Sequence, residues 1–323
     1  MKKILITGGS GFLGQNLAKR LKGDYQIILA SRNEKNLLQV SRSLDVDFYP
    51  LDISNLSAVN EAFSRIQPDY VIHAAATKFV DIAEKFPNEC IDSNVIGSQN
   101  IARAAIHFNV ETVIGISTDK VTSPIANIYG FSKAIMEKLF MLQNSISDTR
   151  FLCVRYGNVA WSTGSVLPLW HEMTKKDNLV VTTGPQMYRF FFSIESAVDL
   201  VSTALRNTEL LAGKVLSLPM KGSIMSRMLE VWCQEFGVSW TSGISRSGDR
   251  KFELLIGQNE LTTSRRIVLD SKSYLLIDPT NKFYGLTADY SCLEVEYTSE
   301  NAPQLDLDEI RALIRNSPVE FRV

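Results

Sequence analysis

The stretch that decides the fold is Ile4-Leu-Ile-Thr7, followed by Gly8-Gly-Ser-Gly-Phe-Leu-Gly14. The first four residues form a short apolar strand, and glycines then stand at positions 8, 11 and 14. Beyond them, leucines recur at helical spacing at positions 13, 17 and 21. A strand, a glycine-rich turn and a helix in this order are typical of a dinucleotide-binding site, where the helix N-terminus faces the phosphates.

The three glycines have separate tasks in such a turn. Gly8 permits the tight turn after the strand, because glycine has no Cβ atom. Gly11 lets the backbone approach a pyrophosphate, and Gly14 lets the helix pack close to the strand. We therefore predict that a nucleotide cofactor binds at the start of the chain.

The end of the second strand, Gln26-Ile-Ile-Leu-Ala30, indicates which dinucleotide binds. A site that prefers NAD usually has Asp or Glu near this point, where it accepts hydrogen bonds from the ribose hydroxyls. This chain has Arg32 there, with Ser31 before it and Lys35 just after it. A guanidinium suits a 2′-phosphate, so we expect NADP; the alternative is that Arg32 is a solvated loop cation.

Two later strand ends complete the expected cofactor site. Asp52 follows the third apolar segment and is placed to touch the adenine, and the small alanines at 74–76 would let the backbone pass close to the cofactor. His73 is expected to be a buried structural histidine. The expected cofactor-binding residues are Gly8, Ser10, Gly11, Phe12, Leu13, Gly14, Ser31, Arg32, Lys35, Asp52, Ile53, Ala74, Ala75, Ala76, Asn94, Tyr129 and Lys133.

Strands alternate with helical patterns from residue 1 to about 160, and this predicts an α/β fold. We expect a Rossmann-like doubly wound parallel sheet with helices on both faces. Because 323 residues exceed what one core usually supports, we also expect a smaller C-terminal substrate-binding lobe. Residues 1–160 are assigned to the NADP-binding domain, with a segment near 190–220 returning to its sheet, and residues 161–323 mainly to the lobe.

The less regular C-terminal half contains three recognisable elements. Arg266-Ile-Val-Leu269 and Tyr274-Leu-Leu-Ile277 are expected to be short strands of the smaller lobe. Residues 305–314 form an amphipathic pattern with a capping acid, which predicts a C-terminal helix.

The catalytic candidates follow the apolar run Thr112-Val-Ile-Gly-Ile116, which is typical of a buried strand. Open α/β sheets place their chemistry at the ends of parallel strands, and here Asp119 and Lys120 stand at such an end. Tyr129 and Lys133 are four residues apart, so a helix that begins near Tyr129 puts both on one face.

These residue types suit the oxidation of a hydroxyl followed by loss of water. A nearby ammonium favours the phenolate, which makes Tyr129 a usable acid or base. Asp119 can give a proton to a leaving hydroxyl, and Lys120 can take a proton from carbon if burial and Lys133 disfavour its charge. The alternatives are a surface tyrosine–lysine pair on an amphipathic helix, and a capping acid beside a solvated lysine.

Composition excludes several other classes of function. The net charge is -1 and no dense basic run occurs, which argues against a nucleic-acid partner. The four cysteines are scattered, as expected of thiols in a reducing compartment, and the opening apolar stretch is too short for a signal peptide. We expect a cytoplasmic protein with no membrane span and no catalytic metal, because three histidines form no ligand cluster.

By its motifs the chain resembles the extended short-chain dehydrogenase/reductases. Within them it is most similar to the soluble, inverting UDP-N-acetylglucosamine 4,6-dehydratases of bacterial polysaccharide and nonulosonic-acid pathways. The similarity is carried by His73-Ala-Ala-Ala-Thr-Lys78, Pro87-Asn-Glu-Cys-Ile-Asp-Ser-Asn94, Ser117-Thr-Asp-Lys120, Val154-Arg-Tyr-Gly-Asn-Val159 and Gly164-Ser-Val-Leu-Pro168, and more weakly by Arg246-Ser-Gly-Asp-Arg250.

The resemblance implies an NADP-dependent nucleotide-sugar 4,6-dehydratase that acts on a UDP-N-acetylhexosamine. Tyr129 would act at the 4-hydroxyl, Lys120 would remove the C5 proton and Asp119 would protonate the departing 6-hydroxyl. Lys133 would hold the nicotinamide ribose and lower the pKa of Tyr129. In inverting members the lysine also returns a proton to the opposite face of C5. The residues implied to bind substrate are Lys78, Thr118, Asn158, Arg189 and Arg246.

Two alternative functions stay open at this point. A nucleotide-sugar 4-epimerase or 4-reductase would need the tyrosine and lysine of the helix, but it has no use for an acid beside a second lysine. A protein of another class, a non-catalytic NADP-sensing scaffold, would need none of the four.

Assembly and pocket shape give two further expectations. Helices near 94–106 and 129–143 commonly form a two-fold four-helix interface in this type of fold, so we expect a homodimer or a larger homo-oligomer. The apolar residues expected at the interface are Ile101, Ala104, Ala105, Ile135, Leu139 and Met141.

Trp161 and the phenylalanines at 190–192 are expected to narrow the sugar pocket.

Overall fold

The computed structural model describes residues 1–243, 249–279 and 293–318. The helices are, in chain order, Phe12–Leu21 (α1), Glu34–Leu44 (α2), Leu56–Ile66 (α3), Val80–Lys85 (α4), Pro87–Ile91 (α5), Gly97–His107 (α6), Ile128–Ile146 (α7), Val166–Asp177 (α8), Ile194–Arg206 (α9), Thr208–Leu211 (α10), Met225–Phe236 (α11) and Leu307–Arg315 (α12). A π-helical turn covers Asp92–Ile96, and 3-10 turns cover Asp119–Val121 and Gln258–Thr263.

The strands are, in chain order, Lys3–Thr7 (β1), Gln26–Ser31 (β2), Asp47–Pro50 (β3), Tyr70–His73 (β4), Thr112–Ile116 (β5), Arg150–Arg155 (β6), Asn158–Val159 (β7), Leu179–Thr182 (β8), Tyr188–Phe192 (β9), Val215–Ser217 (β10), Gly222–Ile224 (β11), Ser239–Ser242 (β12), Leu254–Ile256 (β13), Ser264–Leu269 (β14), Lys272–Ile277 (β15) and Tyr297–Thr298 (β16).

The central sheet confirms the predicted Rossmann-like fold. Its order in the described part of the chain is β14-β15-β10-β6-β5-β4-β1-β2-β3. From β3 to β10 all neighbours run parallel, and the order reverses between β1 and β4. A ligand crevice is expected at such a reversal, beyond the carboxyl ends of the strands. The glycine turn after β1 opens at this point.

Two strands expected in the smaller lobe belong instead to the central sheet. β14 and β15 pair with each other in antiparallel fashion, and β15 pairs antiparallel with β10. Asp270 and Ser271 join them with φ of 48° and 62°, the backbone of a tight hairpin turn with both central residues left-handed. The expectation was wrong because this turn lacks the usual glycine signal, and because four buried residues in a row, at 274–277, show no one-sided pattern.

A second apolar cluster is formed by buried residues between Ala160 and Ile314. It includes three tryptophans, at 161, 170 and 232, and lies among α8, α11, α12 and the short sheets β11-β9-β7 and β12-β8. The predicted C-terminal helix is confirmed as α12, capped by Asp306, whose side chain accepts the amide hydrogen of Glu309 at 2.8 Å. This cluster packs as a separate core beside the main one.

The expected interface residues are only partly available for assembly. Ile101, Ala104 and Ala105 are fully buried in the monomer, because α6 packs its small residues against the main core. On α7, by contrast, Ile135 is 47% exposed. The other large apolar side chains exposed on α7 are Phe131, Leu142 and Ile146.

Candidate active site

One cavity of about 650 Å³ extends from the glycine turn to α8 and β9. Its lining includes most of the residues that the sequence singled out. They are Gly8, Ser10, Gly11, Phe12, Leu13, Gly14, Ser31, Arg32, Ile53, Ala74, Ala75, Ala76, Lys78, Thr118, Lys120, Tyr129, Lys133, Asn158 and Arg189. The predicted residues that do not line it are Lys35, Asp52, Asn94 and Asp119. Arg246 lies outside the described residues.

The glycine turn has the shape that a pyrophosphate needs. Gly8 has φ +70°, and a Cβ atom there would lie 2.8 Å from the backbone of Ala74. A Cβ atom on Gly14 would lie 2.7 Å from the carbonyl oxygen of Gly8. At Gly11 it would meet only that oxygen, at 3.1 Å, so the loop is open on the side of the cavity. These positions fit a dinucleotide whose phosphates approach the backbone closely.

The residues after β2 present a cation to the cavity. Arg32 is exposed and lines it, while Ser10 donates a hydrogen bond to Ser31 at 2.8 Å between their hydroxyl oxygens. Asp52, expected at the adenine, is exposed outside the cavity lining, and its carboxylate accepts hydrogen bonds from the amide and hydroxyl of Ser54. A positive group therefore lines the cavity just beyond the end of β2.

Asn94 braces the cavity wall through neighbouring residues. It lies in the π-helical turn, and its side-chain oxygen accepts the amide hydrogen of Thr77 at 2.8 Å. Its side-chain nitrogen donates to the carbonyl oxygen of Thr77 and to the hydroxyl of Ser132, each at 2.9 Å. These bonds tie the segment after β4 to α7. His73, as predicted, is buried, and it bonds the hydroxyls of Thr7 and Ser98.

Helix α7 positions the tyrosine and the lysine as predicted. It begins at Ile128 because the side chain of Asn127 accepts the amide hydrogen of Gly130 at 2.8 Å. Tyr129 and Lys133 both face the cavity. Burial lowers the pKa of Lys133 to about 8.

The tyrosine is influenced by a different lysine from the one expected. Burial raises the pKa of Tyr129 to about 12, and the charge of Lys120 and a hydrogen bond with Thr118 oppose that rise. A cation that favours the phenolate is therefore Lys120. Burial lowers the pKa of the Lys133 amine itself, and the effect of Lys133 on the tyrosine stays a prediction.

Asp119 is a fully buried acid beside the cavity. Its Oδ1 accepts hydrogen bonds from the Lys120 amine at 2.9 Å and the Thr118 hydroxyl at 3.0 Å. Burial raises the pKa of Asp119 above its ordinary value. Its Oδ2 has no hydrogen-bond partner among the described residues. A Cβ atom on Gly157, which lines the cavity, would lie 2.9 Å from that oxygen.

The pKa of Lys120 is shifted in the direction opposite to the one we expected. Burial alone would lower the pKa of Lys120, but the carboxylates of Asp119 and Glu253 outweigh burial and hold it above its ordinary value. The expectation that Lys133 disfavours its charge was wrong, since the groups that face Lys120 are mainly acids. The Lys120 side chain is 16% exposed, so it is not a solvated surface lysine.

Glu253 was missed by sequence reasoning. It is 4% exposed, and its Oε1 lies 3.5 Å from the Lys120 amine and 3.8 Å from Nε of Arg189. The available signal was an acid directly before the apolar run at 254–256, where an unpaired charge would be costly to bury.

Arg189 is partly engaged within the protein. Its guanidinium donates to the carbonyl oxygens of Tyr188 at 2.8 Å and Arg250 at 3.0 Å. It also lies 3.9 Å from Asp249 and 3.8 Å from Glu253. It still lines the cavity, as do Lys78, Thr118 and Asn158.

The expected aromatic narrowing of the pocket is wrong for most of its residues. Trp161 is 3% exposed, and its indole nitrogen donates to the carbonyl oxygen of Leu313 at 2.8 Å within the second cluster. Its φ of +62° turns it away from the direction that a strand would give it. Phe190 and Phe192 belong to the main core, and only Phe191 of the three lines the cavity.

The described residues contain neither a metal-binding cluster nor a membrane-spanning helix. No group of three or more His, Cys, Asp or Glu side chains there is arranged to hold a metal ion. In the same ranges, no helix has both the length and the apolar character that crossing a bilayer requires.

Comparisons with known proteins agree with this architecture. The family model described as polysaccharide biosynthesis protein matches residues 4–269. A UDP-glucose 4-epimerase from Rickettsia felis is 33% identical over 335 residues, covering 98% of this chain and 96% of the relative. The solved structure of Pen from Bacillus thuringiensis is 27% identical, with a TM-score of 0.87 over 98% of this chain and 97% of that chain.

A more distant solved structure shares the fold. The UDP-glucuronic acid 4-epimerase from Bacillus cereus, in complex with UDP-glucuronic acid and NAD, is 20% identical. Its TM-score is 0.70 over 77% of this chain and 88% of that chain.

Proposed function

This chain belongs to the polysaccharide biosynthesis protein family of extended short-chain dehydrogenase/reductases, and from that premise we propose that it is an NADP-dependent nucleotide-sugar 4,6-dehydratase. The observation that carries the proposal is the contact at 2.9 Å between the buried Asp119 and the cavity-lining Lys120, beside Tyr129. The substrate we propose is a UDP-N-acetylhexosamine, used to make a surface polysaccharide or a nonulosonic acid in the cytoplasm.

The competing candidate is a nucleotide-sugar 4-epimerase, because the relative from Rickettsia felis carries that name. An epimerase removes and returns hydrogen at C4 only, so one acid–base group suffices. A buried acid with one oxygen free of hydrogen bonds, beside a lysine that faces the cavity, is then left without a task. Burying two ionisable groups is costly, so this pair favours a reaction that moves a second set of protons.

The dehydratase reaction divides among the residues of the site. Tyr129 takes the proton of the 4-hydroxyl while C4 is oxidised, and Lys133 holds the nicotinamide ribose. When bound, the dinucleotide supplies the acceptor for the C4 hydride and later the hydride for C6. The C4 ketone acidifies C5–H, so Lys120 can remove that proton. Asp119 protonates the 6-hydroxyl, and water leaves.

The protons balance between the pair, Tyr129 and solvent. After water leaves, Asp119 is an anion and Lys120 is an ammonium, which is the charge state that their 2.9 Å contact favours. Lys120 then protonates C5 as C6 is reduced; delivery from the opposite face would add epimerisation at C5. Tyr129 releases to solvent the proton that it took from the 4-hydroxyl. Asp119 regains a proton from solvent, and its burial favours that neutral form.

The proposal is tested by incubating the purified protein with UDP-N-acetylglucosamine and analysing the nucleotide sugar by mass spectrometry. A dehydratase gives a product lighter by one water. An epimerase gives a product of unchanged mass with a new C4 configuration, which proton NMR detects. Recovery of that isomer alone would refute the dehydratase proposal.

We further propose that Arg32 selects NADP. Replacing Arg32 by Ala should weaken NADP binding by roughly 10- to 150-fold, because a hydrogen bond to a charged group contributes about 1.5–3 kcal/mol. NAD binding should stay nearly constant. Fluorescence titration of both cofactors would measure this, with Lys35→Ala as the matched control, since Lys35 does not line the cavity. Equal affinities of the unmodified protein for NADP and NAD would contradict the assignment.

We also propose a homodimer that uses the exposed face of α7. Phe131, Ile135, Leu142 and Ile146 recur at spacings of four and seven, so they form one apolar stripe. Leu142→Glu should dissociate the dimer, whereas Val268→Glu, at a 64% exposed position on β14, should leave it intact. Light scattering that shows only a 36.2 kDa particle at micromolar protein would contradict the assembly.

A further inference from the structure

Glu253 is a charged group beside the cavity to which the proposed reaction gives no task. It stands directly before β13, and two hydrogen bonds fix its backbone to Ser299: its amide donates to the hydroxyl of Ser299, and its carbonyl oxygen accepts from the Ser299 amide, each at 2.9 Å. Its side chain is therefore held at one depth, 4% exposed, where it reaches Lys120.

The carboxylate of Glu253 faces cations from three elements. Lys120 follows β5, Arg189 lies on β9 and Arg250 lies three residues before Glu253. Burial alone would raise the pKa of Glu253, but these three cations hold it below its ordinary value, so the group is an anion at neutral pH. Its Oε2 is buried and has no hydrogen-bond partner among the described residues, which leaves its charge directed at the cations.

Lys120 in turn has a charged neighbour on each side. Asp119 contacts its amine at 2.9 Å and Glu253 at 3.5 Å, while Arg189 and Tyr129 act on it from β9 and α7. A base that takes a proton from carbon becomes a cation, and a fixed carboxylate behind it stabilises that cation and holds the base in one orientation. Acid–base groups in active sites are commonly oriented by such a third group.

We propose that Glu253 is a positioning residue for Lys120: it orients the amine towards the cavity and stabilises the ammonium that forms when Lys120 takes a proton from the sugar. Asp119 is neutral until it gives up its own proton in this step, so Glu253 is the carboxylate that already faces the amine as an anion when the step begins. Glu253 stays ionised throughout, so the proton that leaves C5 finds a stable place on Lys120. This inference rests on the proposed function for the identity of the carbon acid, but the Lys120–Glu253 contact does not.

The test therefore measures the amine itself as well as turnover. Only the neutral amine reacts with acetic anhydride, so the rate of acetylation at pH 9 reports how strongly Lys120 holds its proton. Removing an opposite charge at this distance lowers a lysine pKa by about one unit or more. In Glu253→Gln, acetylation of Lys120, measured by peptide mass spectrometry, should rise at least about tenfold.

Two controls distinguish the loss of the Glu253 charge from a general loosening of the site. Glu300→Gln removes an exposed carboxylate that pairs with Lys251, and it should leave Lys120 unchanged. Lys78 lines the same cavity and serves as the internal reference. An unchanged rate at Lys120, or an equal rise at Lys78, would overturn the proposal. If Glu253→Gln does not fold, Glu253→Asp is used instead, because it keeps the negative charge but moves it away from the Lys120 amine. The acetylation rate of Lys120 should then rise by a smaller factor. An unchanged rate would again overturn the proposal.

Turnover supplies the second measurement. Lys120 must be neutral to take a proton, and Glu253 raises its pKa, so Glu253→Gln should move the rising limb of the pH–rate profile for water loss down by about one unit. Its plateau should fall as well, because the amine loses its orienting partner. If the unmodified protein releases no water, the proposed function fails, yet the acetylation rates still decide the role of Glu253.

Discussion

Asp119→Asn should slow the release of water from a UDP-N-acetylhexosamine by about 10²- to 10⁴-fold, the contribution expected of a general acid. The amide keeps the shape of the side chain but has no acidic proton to give the 6-hydroxyl. Asp119 is suited to that task because burial raises its pKa, so a larger fraction is protonated at neutral pH than for a surface acid. The measurement is the rate of appearance of the dehydrated nucleotide sugar by mass spectrometry.

Lys120→Ala should have an effect of similar size through the other half of the same step. It removes the group that accepts the C5 proton, whereas the oxidation at C4 depends on Tyr129 and should persist in part. The matched control for Asp119→Asn is Asp199→Asn, because Asp199 is an exposed acid that pairs with Arg20. If Asp119→Asn released water at the unmodified rate, an epimerase or a reductase would become the better account.

Tyr129→Phe should abolish turnover more completely, because it blocks the first proton transfer and everything that follows depends on it. Burial raises the pKa of Tyr129 to about 12, so the phenolate is scarce at neutral pH and gains from the charge of Lys120. Activity that depends on this phenolate should rise with pH towards that value. Stopped incubations analysed for any change at C4 would measure the loss.

A phenylalanine at another tyrosine provides the comparison. Tyr70 accepts a hydrogen bond from the exposed amine of Lys2 and lies outside the cavity lining, so Tyr70→Phe should retain activity. Turnover by Tyr129→Phe at more than a tenth of the unmodified rate would remove Tyr129 from the mechanism.

Local patterns were sufficient to predict the first half of the molecule. The glycine turn, the capped start of α7 and the strands that precede them depend on residues close together in the chain. Gly14 is required by backbone contacts within this turn, and Gly8 by the backbone of Ala74 at the end of the neighbouring strand β4. Tyr129 and Lys133 share a face because one helix carries both.

Features that depend on distant contacts could not be predicted in the same way. Glu253 reaches Lys120 across more than a hundred residues, and nothing near it in sequence indicates that partner. The raised pKa of Lys120 depends on Asp119 and also on that distant contact, so the sequence-based expectation was incomplete. Trp161 was assigned to the pocket by its position in a motif, whereas its indole bonds the backbone of Leu313.

The central claim is that Asp119 and Lys120 remove water across C5 and C6 of a nucleotide sugar. Its most direct test is to incubate the unmodified protein with UDP-N-acetylglucosamine in deuterium oxide and to analyse the product by mass spectrometry and proton NMR. The account predicts loss of one water with deuterium at C5, because the C5 proton passes through Lys120 and exchanges with solvent. A product of unchanged mass that retains its hydrogen at C5 would contradict it.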